Sequence, residues 1–452
     1  MQLRYKQHIK ETLFLSFPLI ISQIGHIITS MTDNAFLGFV NLESQDAGIL
    51  SGNVFILLLV FLIGMSQGLT PKIAEAHVNG RENEKASLLK NSLLLNIVNS
   101  SLLYLLILFG MNFLHYLDQP ADVVELAKPF LNIIACSLIP LAVFFTLKQY
   151  CEGLSNTRAA MYISISGNVL NVVLNYGLIF GKLGLPEIGY LGAAWATFIS
   201  RAFMAVAFFI YMLYHKELKT ILKIIPSVKI HFAQLKNLFK IGIGPAIQYI
   251  FEVAAFTVAG FMAGWLGKET FASHGIALSI AAFTYMFASG ISGASSIRVA
   301  NFKGLNDKIN IKKAGIAGFA IAAVIMAFFG IMFLLFNNVL PAFFSEKKEV
   351  VQLASGLLLV ASLFQLFDGV QVTGLGILRG LSDVKIPTIL ALTAYWLVAL
   401  PLAYWLGFEF HYGVYGIWFG LCAGLTFAAI TFVARFRYLT KEIIYKDRTI
   451  KF

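Results

Sequence analysis

Apolar runs of twenty or more residues, parted by short polar turns, recur along the whole of this 452-residue chain. A bilayer core about 30 Å thick takes roughly 20 residues of helix to cross. Twelve runs are long enough: 12–40, 47–70, 87–112, 122–147, 159–181, 189–214, 239–265, 270–297, 314–336, 349–378, 385–406 and 413–434. Hydrocarbon offers no hydrogen-bond partners, so spans of this kind must satisfy their own backbone as helices. The pattern therefore predicts an all-α integral membrane protein of twelve transmembrane helices, with nothing else resembling a domain. Arg4, Lys6 and Lys10 precede the first run, but that run is too long for a signal peptide and lacks a small-residue cleavage site. It reads as a retained first span.

The polar turns carry the next signal. Of 34 lysines and arginines, 28 fall at the termini or in the even-to-odd connections, five (Lys128, Lys182, Lys268, Lys347, Lys348) fall on the other side, and Arg201 lies inside span 6. Basic connections stay in the cytoplasm, so a multi-pass protein of the inner, cytoplasmic membrane with both termini cytoplasmic is expected. The same asymmetry accounts for the net charge of +11 without a nucleic-acid partner, since the basic side faces an anionic leaflet. Composition agrees, with 58% hydrophobic and 13% charged residues, outside the range of soluble domains. Cys136, Cys151 and Cys422 are odd in number and far apart, which suits packing rather than disulfides or metal ligation.

The chain also repeats itself. "CEGLSNT" at 151–157 answers "LRGLSDV" at 378–384, an offset of 227, and Pro18 in span 1 answers Pro245 in span 7 at the same offset. "GYLGAAW" from Gly189 returns as "GVYGIW" from Gly413, and "GLTPKIAEAHVNG" from Gly68 as "GASSIRVANFKG" from Gly293. The unit is six spans. Because six is even, both copies enter the bilayer in the same orientation, related by a pseudo-twofold axis along the membrane normal. This predicts two six-helix bundles, 1–214 and 239–452, joined by a cytoplasmic linker, 215–238, and able to rock about a central cleft.

Three acids lie inside these spans. Asp33 sits near the outer end of span 1, Glu252 near the middle of span 7 and Asp368 within span 10. A charged carboxylate in hydrocarbon costs at least about 2.5–3.5 kcal/mol, so each needs a partner, water or a passing cation. For Asp33 a cap at the membrane interface is the competing reading, although Ala35, Phe36 and Leu37 continue the apolar run. Arg201 is the deep basic residue available to pair with any of the three, or with a lipid phosphate. Pro18 and Pro245 each remove a backbone hydrogen bond inside a span, which fits either a bending helix or a fixed kink. Asn171 and Asn175, four apart, share one face of span 5; their amide oxygens suit a hard cation or simple interhelical bonding. His26, seven residues before Asp33, reads as an interhelical hydrogen bond rather than a proton relay.

These features together resemble the multidrug and toxic compound extrusion (MATE) family, its NorM-type branch in particular. The resemblance rests on "MTDNAFLG" in span 1, "GPAIQYIFE" in span 7 and "FDGVQVTGLGILRGLSD" in span 10, and it runs the length of the chain. It implies a secondary transporter, not an enzyme, that exports organic cations and other amphipathic compounds in exchange for Na⁺ or H⁺ by alternating access. It assigns the coupling role to Asp33 in the first half and to Glu252 with Asp368 in the second. It also sets Asn171, Asn175 and Thr197 beside Asp33, so Na⁺ is expected either at Glu252 and Asp368 or at Asp33, Asn171 and Asn175. Some members carry a second acid where Asn175 stands. Phe364, where some relatives have a tyrosine, is a candidate cleft or gating residue together with Pro18, Pro245 and Gln248. The expected partners are amphipathic or cationic small molecules and membrane lipid, acting on a monomer, with no cofactor beyond the coupling ion.

A lipid-linked saccharide flippase of the same superfamily is the alternative. It should line its cleft with several basic residues for the pyrophosphate, and Arg201 is the one deep candidate that the sequence offers. A polytopic transferase would need clustered catalytic side chains or a phosphate loop, and neither is visible.

Overall fold

The computed structural model of the chain describes residues 3–117 and 119–448. Twelve helices are long and apolar enough to span a membrane: α1 (Tyr5–Gly38), α2 (Leu42–Val78), α3 (Glu82–Tyr116), α4 (Ala121–Gly153), α5 (Thr157–Phe180), α6 (Leu191–Tyr214), α7 (Phe232–Trp265), α8 (Lys268–Gly304), α9 (Lys308–Phe336), α10 (Lys348–Gly380), α11 (Lys385–Glu409) and α12 (Gly413–Lys441). Each contains or closely overlaps one expected run. Most extend further, because a helix continues as polar turns after it leaves the hydrocarbon. The segment between α6 and α7 holds a short helix, Lys216–Ile224, and a 3-10 turn, Ile225–Ser227. All three cysteines are free.

The internal repeat is written into the backbone. Ser155 and Ser382, 227 residues apart in the two "GLS" turns, both take the left-handed conformation, with φ of 61° in each case. A serine pays for that conformation sterically, so its recurrence at equivalent turns reflects one fold used twice.

The helices pack into two compact units, and these do not follow the halves of the sequence. Residues up to Ile20 pack with those from Ile247 onward, and Ile21–Ala246 form the other unit. The chain therefore passes from one unit to the other within α1, two residues after Pro18, and within α7, one residue after Pro245. Close helix approach explains the exchange. In the amino-terminal unit (21–246), a side chain on Gly64 of α2 would lie 2.7 Å from the carbonyl carbon of Pro245 and strike the backbone of Ala246. In the carboxy-terminal unit, a side chain on Gly290 of α8 would lie 2.8 Å from the backbone nitrogen of Ile20. Small residues let helix backbones meet where lipid supplies no hydrophobic drive, and glycine is needed at both crossings.

A polar clasp fixes the start of α1 within the carboxy-terminal unit. Arg298 of α8 lies 2.7 Å from Glu11, bonds Thr12 at 3.1 Å and reaches the carbonyl of His8. The His8 ring is fully buried and meets Asn310 of α9 at 3.1 Å.

Candidate functional site

In the amino-terminal unit, α1 and α5 run side by side along a polar seam. Ser22 bonds Ser164 at 2.9 Å, Gly25 leaves room for Asn168, and Thr29 donates to Asn168 at 2.9 Å. The spacing of 22, 25, 29 and 33 puts one seam on one helical face, and Asp33 is its last member. Asn175 Nδ2 donates to one carboxylate oxygen at 2.7 Å, and Thr197 Oγ1 of α6 donates to the other at 2.7 Å. Asn171 closes the ring, donating to Thr197 at 3.3 Å and accepting from Asn175 at 3.1 Å. The four residues that the sequence set together are thus one hydrogen-bonded ring.

One acceptor in that ring is unused. The Asn175 Oδ1 atom is buried without a hydrogen-bond partner, which is costly unless something fills the gap. A carboxylate, two carboxamide oxygens and a hydroxyl form an all-oxygen donor set, the chemistry of a hard cation.

The basic residues of this unit lie elsewhere. Arg201, one turn from Thr197, donates to Ser137 at 2.6 Å and stacks over the Phe55 ring at 4.8 Å. Lys148 counts with the cytoplasmic connections in the sequence, but it lies inside α4, buried, 3.8 Å from the equally buried Glu152 one turn on. An acid four residues away on its own helix makes that burial tolerable. His26 packs against Phe145, with ring centroids 6.1 Å apart, and its buried Nε2 atom has no partner, so the interhelical hydrogen bond expected of His26 is not seen among the described residues.

In the carboxy-terminal unit, Glu252 of α7 is buried and accepts a hydrogen bond of 2.9 Å from the Tyr395 hydroxyl. Tyr395 lies in a π-helical stretch of α11, Thr393–Ala399, just ahead of Pro401. The wide turn aims two neighbours at α7, since Trp396 also donates to the Phe251 carbonyl at 3.1 Å. Such π-turns inside helices are frequent at functional sites. Gln248, one turn before Glu252, donates to Thr388 of α11 at 3.1 Å. Asp368 of α10 is 6% exposed and makes no hydrogen bond among the described residues. The Glu252 carboxylate is the nearest charge acting on it. Phe364 is buried against Trp418, centroids 5.5 Å apart, in the apolar core of the unit.

No lysine or arginine among the described residues is within salt-bridge distance of Asp33, Glu252 or Asp368. None of the three is ion-paired; Asp33 is bonded by neutral groups and feels the Arg201 charge at longer range.

Comparison with known proteins meets the same duplication. The MatE family model matches the chain twice, over residues 18–177 and 245–405, and the two matches start 227 residues apart. The chain belongs to the MatE family. A probable multidrug resistance protein NorM of Agrobacterium fabrum (strain C58) is 32% identical over 440 residues, spanning 96% of this chain and 95% of that protein. The multidrug resistance protein NorM of Aliivibrio fischeri is 28% identical over 444 residues, spanning 97% and 96%. Among solved structures, a MATE protein in a bent conformation superposes with a TM-score of 0.88 at 18% identity, covering 99% of both chains. The eukaryotic MATE transporter AtDTX14 does so at 0.86 with 20% identity, covering 98% of this chain and 99% of its own. The MATE fold thus extends over the whole chain.

Within this MATE protein, sequence reading passes over Tyr395, Thr388 and the seam residues Ser22, Thr29, Ser164 and Asn168. The seam has a visible signal, polar residues every three or four positions in otherwise apolar runs. Tyr395 has only the proline six residues later.

Proposed function

We propose that this protein is a multidrug efflux transporter of the cytoplasmic membrane that exports amphipathic and cationic compounds in exchange for an inward Na⁺ or H⁺. The observation that carries the reading is the set of three membrane-embedded carboxylates that form no ion pair with a lysine or arginine. Each unit holds at least one. A carboxylate that stays charged and unpaired in a low-dielectric interior is too costly to keep for structure alone, so its charge is balanced by what passes through.

Asp33, with the oxygens of Asn171, Asn175 and Thr197, is one coupling site. Hydrogen bonds from Asn175 and Thr197 hold the empty carboxylate, and an entering cation takes over that role, drawing on the free Asn175 Oδ1. Glu252 and Asp368 form the other site, where Tyr395 orients Glu252 and Asp368 supplies a second charge. Two carboxylates that feel one another bind a first cation tightly, since it relieves their repulsion. Cation binding favours one conformation and substrate binding another, and differential affinity for the two drives the exchange. An inward monovalent cation gains about 2.3 kcal/mol per 100 mV of membrane potential, roughly a 50-fold outward gradient of a neutral drug, whereas a singly charged drug exchanged one for one is driven by the concentration gradient of the cation alone. Pro18 and Pro245, at the two passages between units, are the points where α1 and α7 bend during that change. The similarity to proteins named as multidrug resistance proteins supports the substrate class. Both termini and the 215–238 linker are cytoplasmic, and the working form is a monomer.

Cells expressing the protein should accumulate less ethidium and other lipophilic cations than cells without it. Identical accumulation across several such dyes would overturn the substrate class.

A further inference from the structure

We propose that a groove on the carboxy-terminal unit binds an anionic phospholipid, with its phosphate on Arg437 and Lys441 and an acyl chain along α10 and α12. The groove has a volume of about 680 Å³ and is walled by α9, α10 and α12. Phe367 and Val370 of α10, Ala323 of α9 and the Ile430–Ala434 turn of α12 form its apolar length.

Three observations select the occupant. The first is length. From Ile430 to Lys441 is eleven residues, about 16 Å of helix, or half of a hydrocarbon core roughly 30 Å thick. The groove therefore runs from the middle of the bilayer to one surface, the reach of one leaflet. The second is the level of its charged end. Arg435, beside Arg437, forms a 2.7 Å ion pair with Asp383 in the turn that follows α10, so the basic end lies at the membrane surface.

The third is charge. Arg435 is already taken by Asp383, whereas Arg437 and Lys441, one turn apart and both exposed at the groove, make no ion pair with any carboxylate whose side chain is described, that is, up to Lys441. After Val433 the sequence carries six basic residues against two acids, Glu442 and Asp447. Tyr438 completes the mouth, an aromatic at headgroup depth. A guanidinium and an ammonium on one face fit a phosphate that bears a net charge, while a zwitterionic headgroup brings its own cation to the same place. Small side chains at Ala323 and Ala434 leave the space for the chain.

Two basic residues at a membrane surface correspond to roughly a 30-fold preference for anionic lipid. The test uses the full-length protein, delipidated in a neutral detergent and titrated with phosphatidylglycerol or phosphatidylcholine of the same acyl chains. Binding is read by native mass spectrometry and by the shift in melting temperature. The wild type should hold phosphatidylglycerol about 30-fold more tightly, and Arg437→Gln with Lys441→Gln should erase the preference without lowering melting in detergent alone. Ala434→Phe should weaken binding of both lipids by filling the groove. Equal affinity of the wild type for the two lipids overturns the proposal, as does a preference that survives in the double variant or inorganic phosphate protecting as well as phosphatidylglycerol. If the double variant fails to fold, the wild-type comparison and Ala434→Phe decide. None of these readouts involves export, so failure here leaves the transport reading where it stands.

Discussion

Replacing Asp33 by asparagine tests whether its ring serves coupling or only packing. Two terms of opposite sign set the effect on folding. Two hydrogen bonds of 2.7 Å reach the carboxylate, each worth about 1.5–3 kcal/mol to a charged acceptor and about 0.5–1.5 kcal/mol to a neutral one. The substitution therefore forfeits roughly 2–3 kcal/mol. It also removes a charge whose cost in a membrane interior is about 2.5–3.5 kcal/mol. The Thr197 hydroxyl can accept as well as donate, so the amide keeps both neighbours. The terms nearly cancel, and Asp33→Asn should melt within about 4 °C of the wild type. Export should nonetheless fall severely, because a neutral amide cannot exchange a cation for its absence. Dye efflux from cells, normalised to folded protein extracted in detergent, measures both. Wild-type export per folded molecule refutes the coupling role, and a collapse in folded yield with normal export by the remainder refutes the balance just drawn.

Three further outcomes are expected. Tyr395→Phe removes the hydrogen bond to Glu252, about 1.5–3 kcal/mol, and should cut the initial rate of gradient-driven export tenfold or more at normal folded yield; an unchanged rate would remove Tyr395 from the site. Gly64→Val should lower stability by roughly 1–3 kcal/mol, because the backbone at Pro245–Ala246 blocks the new side chain, whereas Gly52→Ala meets nothing within 4 Å and should be neutral; equal melting of the two variants would contradict the crossing. A cysteine at exposed Ser227 should resist an impermeant reagent added outside intact cells and react once the cells are opened, and labelling from outside would reverse the topology.

The twelve spans were legible because hydropathy and length suffice for them, and the repeat because motifs such as "GLSNT" and "GLSDV" survive in both copies. The division into units was not. Residues 5–20 and 232–246 carry Pro18 and Pro245 but no local mark of which bundle receives them; that is decided by distant contacts, the Gly290 and Gly64 crossings and the Arg298 clasp on Glu11 and Thr12. The three acids standing alone in apolar runs, Asp33, Glu252 and Asp368, were placed within spans by the sequence, and each lies within a spanning helix. Charge was misread at Lys148, which looks like a loop residue until the helix is seen to continue to Gly153 and bury it beside Glu152. Tyr395 was missed because tyrosine is common in membrane helices, and its meaning depends on a π-turn that brings α11 onto α7.

If the carboxylates carry the coupling ion, reconstitution shows it without the cell. Wild type and the Glu252→Gln, Asp368→Asn double variant are placed in proteoliposomes, and substrate movement is followed under an imposed Na⁺ gradient and, separately, a pH gradient. One of the two gradients should drive uphill transport by the wild type, and neither should drive it in the folded double variant. Uphill transport by the double variant at the wild-type rate would contradict it.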